Sequence, residues 1–90
     1  MMKLTTILTE RQVEIFMLIV QGYSSTEIAK KLNISLQSVL KVLHKVYAKL
    51  KVRNAVEAIR ECLQHGLLSV DDLKRKEAEH EYGKDAEYGA

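Results

Sequence analysis

A chain of ninety residues that is 47% hydrophobic, free of proline and only +2 in net charge has room for one small domain, in which core burial is marginal and every helix cap counts. Its longest apolar run, Ile15 to Val20, is far short of the roughly 20 residues of a membrane span, and the first residues lack the charged-then-apolar pattern of a signal peptide. A single cysteine excludes an internal disulfide, so a reducing cytoplasm is the expected location.

Strict alternation of β-branched and aromatic residues is missing, which predicts an all-α fold: a four-helix bundle containing a helix-turn-helix, followed by a frayed or disordered acidic C-terminal tail. Met1 to Ile7 carry no strong signal and read as a lead-in. Thr9 with Gln12 forms a capping box, and Leu8 and Val13 stand at its staple positions, so a helix is predicted from about Glu10 to Gln21, stopping at Gly22. Ile15, Phe16, Leu18 and Ile19 suffice to cover its core face. Val13, Met17 and Val20 form a second stripe, either buried in a crowded core or free for a partner.

Ser24 with Glu27 is a second capping box, stapled by Tyr23 and Ile28. Helical spacing continues through Ala29 and Leu32 to Asn33, which tolerates the left-handed conformation that stops a helix. Ser35 opens the next helix two residues later. At about 100° per residue, Leu36, Val39, Leu40, Val42, Leu43, Val46, Tyr47 and Leu50 fall on one broad arc of that helix. Gln37, Ser38, Lys41, His44, Lys45, Ala48 and Lys49 fall opposite, with no carboxylate among them. Lys51 to Arg53 make a basic connection, and Asn54 with Glu57 is expected to repeat the capping design. The helix after it is expected to bury Val56, Ile59 and Leu63, leaving Ala55, Ala58 and Cys62 as a small-residue strip on its flank. His65 and Gly66 end it, and Leu67 and Leu68 can fold back on the core. From Ser69 onward seven carboxylates face four cations, and a frayed helix is expected over about Val70 to Tyr82 before a disordered end. The domain is thus placed at residues 8–68 and the tail at 69–90.

Charge is segregated along the chain. Between Glu27 and Glu57 stand seven Lys or Arg residues (Lys30, Lys31, Lys41, Lys45, Lys49, Lys51 and Arg53) and no Asp or Glu. An ordinary solvated helix face mixes both signs, because opposite charges four residues apart add a few tenths of a kcal/mol, so a face that keeps only cations points to a phosphate backbone. Cys62 and His65 are three residues apart, but two ligands do not make a zinc site, and Cys62 reads instead as a small core residue. No nucleophile has a base and an orienting group at credible spacing, and no glycine-rich phosphate loop is present. The sequence therefore predicts no enzyme, no metal and no cofactor.

Leu8-Thr9-x-Arg11, Gly22-x-Ser24-x-x-Glu27-Ile28-Ala29-x-x-Leu32-x-Ile34-Ser35-x-x-Ser38-Val39 and Lys49-Leu50-x-Val52-x-Asn54 together resemble the LuxR-type (GerE-like) DNA-binding domain over about Leu8 to Leu68. The resemblance implies a transcription regulator that binds double-stranded DNA sequence-specifically, with the third helix of four in the major groove and the fourth commonly pairing two copies. By position it implies that Ser38 touches phosphate and that Leu40, Lys41 and His44 face bases or backbone. With the flanking polar and basic residues, the implied DNA-binding set is Gln37, Ser38, Leu40, Lys41, His44, Lys45, Lys49, Lys51 and Arg53; the implied homodimer contact is Ala55, Ala58 and Cys62. Family members usually carry Lys at Leu40, His at Val42, Glu at Gln12 and Arg at Ala55. Many also attach a receiver or ligand-sensing domain, so this chain resembles the short stand-alone members or a fragment. The competing expectations are a helix-turn-helix used for protein contact, which Leu40 favours, and a sigma-region-4-like module working inside an RNA polymerase complex. RNA polymerase or a regulatory protein would then be a further partner.

Overall fold

Helix ends, more than helix interiors, organise this molecule. The computed structural model describes residues 3–74, which form α1 (Leu4–Ile7), α2 (Glu10–Val20), α3 (Ser25–Leu32), α4 (Leu36–Leu50), α5 (Ala55–Gln64) and a closing 3-10 turn (Val70–Leu73). No strand occurs among the described residues, and no helix among them is long and apolar enough to cross a membrane. The four expected helices are α2 to α5.

Both expected boxes at Thr9 and Ser24 close reciprocally. Thr9 Oγ1 accepts from the Gln12 N–H at 3.2 Å while Gln12 Oε1 accepts from the Thr9 N–H at 3.0 Å. Ser24 and Glu27 repeat the exchange at 3.1 and 2.8 Å. Each box satisfies two helix N–H groups that would otherwise have no partner. The cap at Asn54 departs from the expected design. Its side chain accepts from the Glu57 N–H at 2.9 Å, but the Glu57 carboxylate takes the Arg53 N–H instead of returning to Asn54, because the Arg53 guanidinium draws it one residue further back.

The helix stops share one device. Gly22, Asn33, Lys51 and Gly66 all have positive φ (97, 57, 59 and 74°). In each case the following residue's N–H bonds back to a carbonyl five residues earlier: Tyr23 to Leu18, Ile34 to Ala29, Val52 to Tyr47, Leu67 to Cys62, at 2.8 to 3.0 Å. That is a Schellman closure, and each time the closing residue is apolar and packs against a core cluster. Lys51 pays the most for it, since a left-handed residue with a Cβ costs roughly 1–2 kcal/mol.

Two apolar clusters lie on either side of α2. Ile15 enters one with Ile28, Ala29, Val39 and Leu43, which fastens α3 and the first half of α4 to α2. Phe16 enters the other with Leu4, Leu8, Val20, Val46, Ala58, Cys62 and Leu68. Ile15 and Phe16 are wholly buried, a gain of about 1.5–3 kcal/mol each before packing is counted. Val20 is buried too, and Val13 and Met17 are half-buried against the Phe16 cluster, so the second stripe of α2 is largely used inside the chain.

Three expectations need correction here. The segment before Thr9 is not a bare lead-in: Leu4 and Leu8 are buried, and one helical turn holds both on the Phe16 cluster. On α5 the faces are exchanged, with Ala58 and Cys62 0% and 1% exposed and Val56 72% exposed. Small residues do let a helix approach closely, but the approaching elements belong to this same chain, and the larger Ile59 and Leu63 are displaced to the half-buried flank. Over Val70–Leu73 the backbone makes a 3-10 turn, and Lys74 is extended, so no α-helix starts at Val70; the rest of the expected helix, and the tail end, lie outside the described residues.

Candidate nucleic-acid interface

Helix α3, the residues Asn33 to Ser35 and α4 form the helix-turn-helix. Asn33 makes the turn tight through its left-handed backbone (φ 57°, ψ 48°). Ser35 Oγ caps α4 by accepting from the Ser38 N–H at 3.0 Å and donates its own proton to Ser38 Oγ at 2.9 Å. The Ser38 hydroxyl is exposed in the first turn of a helix whose dipole favours an anion.

Burial of Val39, Leu43 and Val46 fixes the rotation of α4. All nine residues of the implied DNA-binding set are exposed: Gln37, Ser38, Leu40, Lys41, His44, Lys45, Lys49, Lys51 and Arg53. Leu36 and Leu40, which the helical wheel places on the apolar arc, are 43% and 42% exposed: Leu40 falls at the margin of that arc, and Leu36 stands at the first position of the helix. For Leu40 this agrees with its family position. Leu36 was missed as a surface residue, and its place at the very start of the helix was the available signal.

The cations are not equivalent. Among the described residues no carboxylate lies within ion-pairing distance of Lys41, Lys45 or Lys51. Lys31 stands 5.5 Å from the centre of the Tyr23 ring, a cation–π contact. Arg53 is tied to Glu57 by two guanidinium bonds to Oε2, at 3.1 and 2.9 Å. These bonds raise the Arg53 pKa and hold the Glu57 carboxyl below its ordinary range, so much of the Arg53 charge is already answered. Lys49 reaches across to α2 and donates to Gln12 Oε1 at 2.9 Å. That oxygen, on the one buried polar side chain among the described residues, also completes the Thr9 box. Sequence reasoning had Gln12 as a cap alone; its partner is 37 positions away and no local pattern announces it.

Neither Ala58 nor Cys62 reaches the surface, and Ala55 is half-buried, so the strip expected to pair two copies is occupied by the chain's own core. The exposed side of α5 carries Val56 instead, followed by the partly covered Ile59 and Leu63 three and seven residues on. Burial also raises the Cys62 thiol pKa, with a smaller contribution from Glu61. A small hollow lies beyond Cys62, lined by Ile7, Leu50 and Leu67 with Lys49, Glu61 and His65 at its edge. No group of three or more possible metal ligands occurs among the described residues.

The profile of the bacterial regulatory proteins of the luxR family (GerE) matches residues 6–62. Response regulator protein VraR of Staphylococcus aureus (strain Mu3 / ATCC 700698) is 36% identical over 66 residues, as are the proteins of that name from Staphylococcus saprophyticus and Staphylococcus epidermidis. The aligned region is 73% of this chain and 32% of each relative, so the chain spans about a third of the length of these curated proteins. A match to the family over more than half its length, centred on the capped pair α3 and α4, places the chain in the luxR family of bacterial regulatory proteins.

Proposed function

We propose that the chain is a sequence-specific regulator of transcription that binds double-stranded DNA, sets α4 in the major groove and acts as a homodimer. The observation that carries this reading is the exposed arc of α4: cations and neutral polar groups without a carboxylate, on the second helix of a helix-turn-helix. In this reading Lys41, Lys45 and Lys51 hold phosphates, while Gln37, Leu40 and His44 lie toward bases; the phosphate contacts position and the base contacts specify. Two copies would set their reading helices about 34 Å apart, one DNA turn. Val56 on the outer side of α5 is the apolar residue best exposed to join them. The protein would act in the cytoplasm without a cofactor or catalytic activity, with RNA polymerase or a controlling protein as further partner.

Salt dependence tests this. If Lys41, Lys45 and Lys51 each neutralise one phosphate in both copies, log K against log salt should fall with a slope of about −5. A slope shallower than about −2 would refute the proposal. It would favour a protein-contact module or a part of a polymerase complex, readings that exposed Leu36 and Leu40 also suit.

A further inference from the structure

Leu36 and Leu40 stand four residues apart on α4, 43% and 42% exposed, while Val39 and Leu43 beside them are 0% and 4% exposed. Scattered apolar residues on a protein surface need no explanation. Two in successive turns of a helix that otherwise presents Gln37, Lys41 and His44 form a short apolar strip along one edge of a polar, cationic face. We propose that this strip reads thymine, with Leu40 set against the C5 methyl group of one thymine in each half-site and Leu36 extending the contact on its N-terminal side. The inference rests on α4 being the DNA-reading helix and adds what that helix selects.

The chemistry leaves few choices. A leucine side chain neither donates nor accepts a hydrogen bond, so the nitrogen and oxygen atoms of base edges are invisible to it. In the major groove the apolar group on a base edge is the thymine methyl. Leu40 lies in the first half of α4, the part of a recognition helix that reaches base edges. Continuity of charge identifies the occupant. Lys41 follows Leu40 directly and Lys45 follows one turn later, neither with a carboxylate partner among the described residues, so whatever approaches Leu40 must also be a polyanion. Duplex DNA supplies a methyl group and phosphates together; an apolar protein partner does not.

The test uses the full chain and its preferred duplex, selected from a random pool. Each thymine is replaced in turn by deoxyuridine, which removes the methyl and leaves the hydrogen-bonding pattern unchanged. Replacing the contacted thymine of one half-site should weaken binding about fourfold, the worth of one buried methyl group. Leu40→Ala should bind the thymine and uracil duplexes equally, and Leu40→Met, which keeps an apolar tip, should retain the preference for thymine. Sequence-selective binding that tolerates uracil at every position would overturn the thymine reading and leave the DNA-binding reading standing. Discrimination that persists undiminished in Leu40→Ala would overturn it as well, by assigning the methyl to another residue. Failure to select any duplex at all would overturn the DNA-binding reading, and this one with it.

Discussion

Removing the contact between Lys49 and Gln12 should loosen the frame that aims α4. Gln12 Oε1 accepts from the Thr9 N–H at 3.0 Å and from Lys49 Nζ at 2.9 Å, and the residue is 8% exposed. A hydrogen bond to a charged group contributes about 1.5–3 kcal/mol in full, and the exposure of Lys49 brings this one toward about 1 kcal/mol. Lys49→Ala should therefore cost about 1 kcal/mol. Gln12→Ala breaks the capping box as well and should cost about 2–3 kcal/mol. The double variant should be no less stable than Gln12→Ala, giving a coupling of about 1 kcal/mol between residues far apart in the sequence. Urea unfolding followed by circular dichroism measures all four proteins, and 1 kcal/mol corresponds to about 4–8 °C in Tm for a domain of this size. Additive losses, with a coupling below about 0.3 kcal/mol, would refute a structural role for the contact and return Lys49 to the cations proposed to meet phosphates.

Val56→Glu should leave the fold intact and reduce a 2:1 complex on a two-half-site duplex to 1:1, because Val56 is 72% exposed; mass measurement of the complex checks it, and a retained 2:1 complex would exclude the outer side of α5. Ala58→Glu should instead unfold the chain, since it drives a charge into a wholly buried site at a cost of several kcal/mol, read as loss of the thermal transition. Cys62, 1% exposed with its thiol pKa raised by burial, should react with iodoacetamide at neutral pH only as fast as the chain opens, and urea should accelerate the reaction sharply.

Much of this fold is legible in the sequence because it is written at helix ends. Thr9, Ser24 and Asn54 announce starts, and Gly22, Asn33 and Gly66 announce stops, through interactions spanning only a few residues. Lys51 shows the limit: its left-handed backbone is set by Val52 being drawn onto the core, which composition alone does not reveal. Faces are harder to read than ends. On α4 one arc is so apolar that only the marginal Leu36 and Leu40 were misplaced on the wheel. On α5 a valine-isoleucine-leucine stripe competes with an alanine-cysteine strip, and hydrophobicity alone favours the wrong one. The closeness of α2 and α4 decides the matter, and distance between helices is a property of the assembled molecule. The same holds for Leu4, whose burial depends on the Phe16 cluster, assembled from residues far apart in the chain.

Charge is divided unevenly along α4. Its first five residues, Leu36 to Leu40, contain no charge at all, whereas Lys41, Lys45 and Lys49 follow in the remaining two-thirds and Lys51 and Arg53 lie just beyond. Against the usual family pattern, Leu40 takes a cation out of the N-terminal part of α4. Gln12, standing where a carboxylate is usual, answers Lys49 with a neutral oxygen, so that the charge of Lys49 still contributes to the field at the far end of the helix. Both departures move positive potential in the same direction, from the tip of α4 toward its C-terminal half. A cation at the tip would be drawn to any phosphate or to guanine within reach, and that attraction is long-ranged; an apolar tip responds only to what it touches. On this arrangement, the affinity of the proposed complex resides in the second half of the helix and varies with salt, while its selectivity resides in the first half and varies little. Measuring the fourfold uracil penalty at two salt concentrations would expose the separation: the ratio of affinities should stay constant while both affinities fall.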